Sequence, residues 1–136
     1  MNVTSESGIA HLIELRRQWP FTPLIQENDL CLVGSTSING HGNDIDVALC
    51  TSDLCGAAES LRAAGWEVTD AEVYRGVSDD GWFSAKFREW NLLVSEPEIY
   101  ELWKTADRAC HALRQIVDRD LTRDERVLMH KAVFND

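Results

Sequence analysis

Two aspartates two residues apart, in Asn43-Asp44-Ile45-Asp46-Val47, follow a Gly34-Ser35 pair across eight intervening residues. This arrangement constrains the chain more than any other feature. Residues 29-33 read Asp-Leu-Cys-Leu-Val, a short buried strand that Gly34-Ser35 breaks. Residues 36-43 carry two glycines and read as a turn-forming loop, after which Ile45 to Leu49 return to strand. Side chains alternate along a strand, so Asp44 and Asp46 share one face while Ile45 and Val47 enter the core. Two carboxylates on one face repel each other unless a positive charge lies between them. Mg²⁺ takes oxygen ligands, commonly one or two carboxylates plus substrate phosphates. A pair of such metals can activate a hydroxyl and stabilise a leaving pyrophosphate. Gly34 allows a phosphate close to the backbone. The Ser35 hydroxyl and neighbouring N–H groups can bind its oxygens. A solvated strand end is the plain alternative for a lone Asp-x-Asp.

The rest of the chain reads as one domain over residues 1-136. A helix is expected from about Ser5 to Trp19, ended by Pro20. Ser52 and Asp53 suit the start of a second helix that runs to Ala64, with Gly65 at its left-handed end. Trp66-Glu67-Val68 resumes strand toward Tyr74, and Ser78-Asp79-Asp80-Gly81 is a turn. Trp82 to Phe87 and Asn91 to Val94 read as two strands joined tightly around Arg88-Glu89-Trp90. Ser95-Glu96-Pro97-Glu98 fits a capping box with Ser95 as cap, and Thr122-Arg123-Asp124-Glu125 fits a second. Each opens a helix. The first carries Ile99, Leu102, Trp103, Ala106, Cys110 and Leu113 at helical spacing. The pattern is α+β, a mixed sheet with helices packed on it.

Charge narrows the partners. The formal net charge is -10, from 23 acidic and 13 basic residues. Affinity for nucleic-acid backbones comes largely from Lys and Arg, so this charge balance does not favour a long duplex groove. A small substrate or a basic protein partner fits better. Cys31, Cys50, Cys55 and Cys110 form no C-x-x-C pair, which removes zinc knuckles and redox motifs. Cys31, Cys50 and Cys110 read as small buried hydrophobes. No apolar run is long enough to span a membrane, and the polar N-terminus carries no signal-peptide pattern. The expected compartment is a reducing cytoplasm, without membrane contact.

The segment Leu32-Val33-Gly34-Ser35, eight residues, then Asp44-Ile45-Asp46-Val47 resembles the motif of the polymerase-β-type nucleotidyltransferase superfamily, including the minimal nucleotidyltransferases of toxin-antitoxin loci. A looser resemblance runs through Lys86, Asn91 to Val94, Tyr100, Trp103 and Asp124-Arg126-Val127. It points to small phage-encoded members of this fold. The resemblance implies a nucleotidyltransferase-like domain with Mg²⁺ as cofactor and an NTP as substrate. Asp44 and Asp46 would be catalytic and hold metal. Gly34 and Ser35 would bind the nucleotide. The acceptor, whether protein, RNA or small molecule, is left open. The family's third carboxylate would fall on the strand Trp90-Asn91-Leu92-Leu93. Asn91 stands in its place and could ligate metal through its carbonyl oxygen, with Glu89 the nearest acid.

Lys86 and Arg88, same-face neighbours on the preceding strand, could bind the triphosphate, or form a solvated strand edge. His41 could contact phosphate or base, or be a solvated loop residue. His130 and Lys131 suit the dipole of the last helix. Trp66 and Trp103 read as core, while Trp82 and Trp90 could stack a base. A second reading is a catalytically impaired acidic interaction protein of the same fold. An example is a phage-encoded inhibitor of a basic host factor that binds nucleic acid or serves in defence.

Overall fold

The computed structural model describes residues 3-4, 30-69 and 81-134. The expected first helix lies outside these residues, as do the turn at 78-80 and the continuation of the strand beyond residue 69. In chain order the elements are β1 (Val3–Thr4), β2 (Leu30–Val33), α1 (Gly34–Asn39), β3 (His41–Gly42), β4 (Ile45–Cys50), α2 (Leu54–Ala63), β5 (Glu67–Val68), β6 (Trp82–Phe87), β7 (Trp90–Ser95), α3 (Pro97–Val117) and α4 (Arg123–Phe134). A five-stranded sheet has the order β2-β4-β7-β6-β5. Its β4–β7 pair is parallel and the other pairs are antiparallel, so the sheet is mixed. β1 and β3 form a separate two-stranded ladder. The architecture is therefore the expected α+β one.

Strand alternation divides the core. Ile45, Val47, Leu49, Leu92, Val94, Phe83 and Ala85 face one way and pack under Leu54, Ala57, Ala58 and Leu61 of α2. On the other face Val33 and Ala48 pack with Tyr100 of α3, flanked by Cys31, Cys50, Leu93 and Trp103. A third cluster, Ile38, Cys110 and Leu121 with Leu113, Val117 and Met129, joins α1, α3 and α4. Cys110 is buried, Cys31 and Cys50 are half-buried, Cys55 is exposed, and none of the four forms a disulfide. Among the described residues, no helix is long and apolar enough to cross a membrane.

Three local expectations are corrected. The segment after Gly34 is not a plain loop, because Gly34–Asn39 forms a short helix. Its Thr-Ser-Ile-Asn sequence has modest helix propensity, so tertiary contacts decide. Thr36 Oγ1 donates to the Asp44 carbonyl at 2.7 Å. Ile38 is buried against the third cluster. Asn39 accepts from the Leu121 N–H and donates to the Leu121 carbonyl. Gly40, at φ 82°, ends the helix in the left-handed conformation.

The cap of α2 is Asp53 rather than Ser52, since the Asp53 side chain accepts from the Gly56 N–H at 3.0 Å. Ser95 is no cap either. Its pairing with Trp82 and Cys50 extends β7 by one residue, and its hydroxyl accepts from Trp103 Nε1 at 3.0 Å. Glu96 is the N-cap of α3 without a side-chain bond, and Pro97 sets the first turn. The second capping box forms as expected: Thr122 N–H donates to Glu125 Oε1, and Glu125 N–H to Thr122 Oγ1.

Candidate nucleotide site

Register places the chemistry in one row across the sheet. Val33 on β2 pairs with Asp46 on β4, Asp46 with Asn91 on β7, and Asn91 with Lys86 on β6. Directly paired residues point to the same face, here the face covered by α3. The tight turn between β6 and β7 sets this row. Arg88 takes φ 55° in that turn, and the Glu89 carbonyl accepts the Ile45 N–H at 2.7 Å, fixing where β4 begins.

Asp46 is the centre of the site. Asn91 Nδ2 donates to its Oδ1 at 2.9 Å. Burial raises its carboxyl above the usual range. The Asn91 bond opposes that rise, the Asp44 charge adds to it, and the Lys86 and Arg126 charges oppose it. On the other side lies Gly34, at φ 74°, where a Cβ would stand only 2.2 Å from Asp46 Oδ2. Gly34 is thus required twice, by its left-handed backbone and by the carboxylate packed on its Cα. The close approach foreseen for a phosphate is taken on that side by the protein's own aspartate.

The start of α1 is tied down as well. Asp107 of α3 is pushed up by burial. The Ser37 hydroxyl, which donates to its Oδ2 at 2.9 Å, is the chief opposing influence, followed by His111 and the Gly34 backbone N–H. A Cβ on Gly42 would lie 2.7 Å from Ser35 Oγ, so β3 closes against Ser35.

A cavity of about 480 Å³ opens here. Its sheet wall holds Val33, Asp46, Asn91 and Leu93, with Gly34 and Ser35 beside them. The opposite wall is α4, through Arg123, Arg126, Val127, His130 and Lys131, and Trp103 of α3 completes it. The Arg126 guanidinium is anchored, since Nη1 donates to the Leu121 carbonyl at 2.8 Å. His130 Nδ1 lies 2.7 Å from the Arg126 carbonyl. A carbonyl only accepts, so Nδ1 carries the proton. The His130 ring also packs against Trp103, with centroids 5.6 Å apart.

Of the residues singled out in the sequence, Gly34, Ser35, Asp46 and Asn91 meet on this cavity. Asp44 stands exposed in the turn just before β4, close enough for its charge to act on Asp46. Lys86 is exposed at the end of the row and acts on Asp46 through its charge. Arg88 is not brought to the cavity: its guanidinium lies over the Phe87 ring, 5.2 Å from the centroid. His41 pairs instead with Asp120. Trp90 is buried in the α2-side core. Trp82 meets Trp103 edge-on at 5.6 Å. Trp103, expected in the core, is half-buried and forms cavity wall. The basic wall of α4 was missed as a site. Its signal is the spacing of residues 123, 126, 127, 130 and 131, which puts four basic side chains on one helical face.

Among the described residues no three His, Cys, Asp or Glu side chains gather as a metal cage. Asn91 Oδ1, however, is buried without a hydrogen-bond partner.

The fold these elements build is nucleotidyltransferase-like. It is similar to Cid1, a polymerase-β-type nucleotidyltransferase, whose structure was solved in complex with the UTP analogue UMPNPP. That likeness has a TM-score of 0.50 at 14% identity and covers 82% of this chain. This chain spans 33% of the Cid1 chain. It is also similar to GrpB from Enterococcus faecalis, with a TM-score of 0.54 at 13% identity, over 99% of this chain and 96% of that one. No protein-family model and no curated protein matches the sequence.

Proposed function

We propose that this protein binds a nucleoside triphosphate in the cavity between the sheet and α4, and transfers its nucleoside monophosphate to an acceptor hydroxyl. The observation that carries this reading is the pairing of walls. Asp46 and Asn91, beside Gly34 and Ser35, face Arg123, Arg126 and Lys131 across about 480 Å³. In a chain of net charge -10, three cations on one cavity wall fit a polyanion. Arginine suits phosphate because its planar fork bonds two oxygens at once. Trp103 and His130 offer an aromatic surface for the base.

Mg²⁺ is the cofactor of this reading, and the donors present fit it. Asp44 and Asp46 supply carboxylates, and the unpartnered Asn91 Oδ1 supplies a neutral oxygen of the kind Mg²⁺ accepts. Bound there, the ion would activate the acceptor hydroxyl and offset charge on the phosphates. The residues of the chain do the rest. Ser35 and the α4 cations hold the triphosphate. Gly34 and Asn91 hold the Asp46 carboxylate in place. The acceptor oxygen forms its bond to the α-phosphorus, the bond to the β,γ-pyrophosphate breaks, and the hydroxyl proton is released.

Calorimetry with ATP, GTP, CTP and UTP plus Mg²⁺ tests the binding step. Dissociation at about 1 μM, near -8 kcal/mol, is expected for the preferred nucleotide, weakened at least tenfold in Asp46→Ala. Labelled NTP then tests transfer by pyrophosphate release. No binding of any NTP sinks the reading. Binding without release, across acceptor extracts, would remove the transfer and leave a nucleotide-binding protein.

A further inference from the structure

We propose that this cavity takes one divalent cation per bound nucleotide, with Arg126 and Lys86 supplying positive charge that a second metal would otherwise bring. The proposal rests on the nucleotide reading above and concerns how charge is balanced around Asp46.

The geometry of Asn91 is the first ground. It stands beside Asp46 on a parallel strand and gives an N–H to Oδ1 at 2.9 Å. Only this amide orientation is compatible with an ionised Asp46, because the reverse would set two oxygens against each other. A donor hydrogen therefore lies between the Asp46 and Asn91 side chains, and no pair of oxygens is left there to hold a second metal. The amide oxygen, turned the other way, is buried and unpartnered. One side of the amide repels a cation and the other can bind one.

Charge is the second ground. Two metals in a bimetallic site lie about 3.5–4 Å apart and carry four positive charges together. Their mutual repulsion is about four times that of two unit charges at the same distance. Asp44 and Asp46 offer two negative charges, and Asn91 offers none. Lys86, in the same row, and Arg126, on the facing wall, already bring positive charge to this part of the sheet. One divalent ion matches the two carboxylates, and Lys86, Arg123, Arg126 and Lys131 are left to offset the triphosphate. A second would meet two fixed cations and a neutral amide. Oδ2 of Asp46 is also hemmed in on the side where it packs on Gly34.

The test counts metal rather than turnover. The protein is saturated with a non-hydrolysable NTP analogue and titrated with Mn²⁺, and bound Mn²⁺ is measured by calorimetry and electron paramagnetic resonance. About one Mn²⁺ per complex, with no Mn–Mn dipolar coupling, is expected. Asn91→Asp removes the donor hydrogen and adds a third carboxylate, so its complex is expected to hold two coupled ions. Two coupled ions in the wild-type complex would overturn the proposal while leaving nucleotide binding intact. A folded Asn91→Asp protein that still binds one would overturn the role given to Asn91. If the analogue fails to bind at any Mn²⁺ concentration, the nucleotide reading itself falls and this proposal falls with it.

Discussion

The two faces of the sheet are built from the same strands and differ in what is allowed to remain open. On the α2 side every second residue of β4 is apolar and buried, as are its neighbours on β6 and β7. On the α3 side the alternate residues read Asp46, Ala48 and Cys50 on β4 and Asn91, Leu93 and Ser95 on β7. Helix α3 covers the far end of that face through Tyr100 and Trp103. The near end, at Asp46 and Asn91, opens into the cavity. The closed face supplies apolar burial, the main favourable term in folding. The open face keeps a desolvated carboxylate, which costs stability and, in the function proposed above, serves binding. Stability and binding should therefore respond separately to substitutions on the two faces.

The largest expected effect lies on the closed face. Phe83 is 1% exposed at the centre of the α2-side cluster. Phe83→Ala should cost about 3–5 kcal/mol, read by urea denaturation. Nucleotide affinity per folded molecule should stay within a few-fold of wild type. A parallel collapse of affinity would break the separation of faces.

Gly34→Ala attacks the boundary between them. Its left-handed φ of 74° disfavours any side chain by about 1–2 kcal/mol. The added methyl would also collide with Asp46 Oδ2. A moderate loss of stability with a disproportionate loss of nucleotide affinity is expected, read by denaturation and calorimetry on the same preparation. Wild-type affinity in a destabilised Gly34→Ala protein would mean that the Gly34–Asp46 contact serves folding alone.

How far the sequence spoke follows the same division. Asp46, its inward neighbours Ile45 and Val47, and the strand on which Asn91 lies were legible because strand alternation is a local signal. Helix α1 was not legible. What makes residues 34-39 helical is Ile38 against Cys110 and Leu121, and Asn39 bonded to Leu121, contacts made across most of the chain. The same docking turns α4 toward Asp46, and the basic stripe from Arg123 to Lys131 becomes a cavity wall only through that long-range packing. Ser95 read as a cap for the same reason. Only its pairing with Trp82 and Cys50 shows that the strand continues through it. Arg88 lies off the cavity because the two-residue turn sets its guanidinium over Phe87 rather than along the Lys86 row.

The smallest expected effect tests the cost of the open face directly. Asp46 titrates above the ordinary carboxylate range, chiefly because burial disfavours the carboxylate. Its unfolded form keeps an ordinary pKa, so between the two values the native state binds more protons than the unfolded one. Stability from this group is then fully present below the unfolded pKa, and falls as pH rises through the folded pKa. Asp46→Asn removes that titration and keeps an oxygen to accept the Asn91 N–H. The difference between wild-type and Asp46→Asn stability, followed from about pH 3 to pH 7 by denaturant midpoints, should therefore slope against the wild type as pH rises. Asp107, which burial also raises, titrates in both proteins and cancels in the difference. A flat difference curve would mean that Asn91, Lys86 and Arg126 together offset the burial of Asp46. An opposite slope would mean that they outweigh it, and the open face would then stabilise the fold as the closed face does.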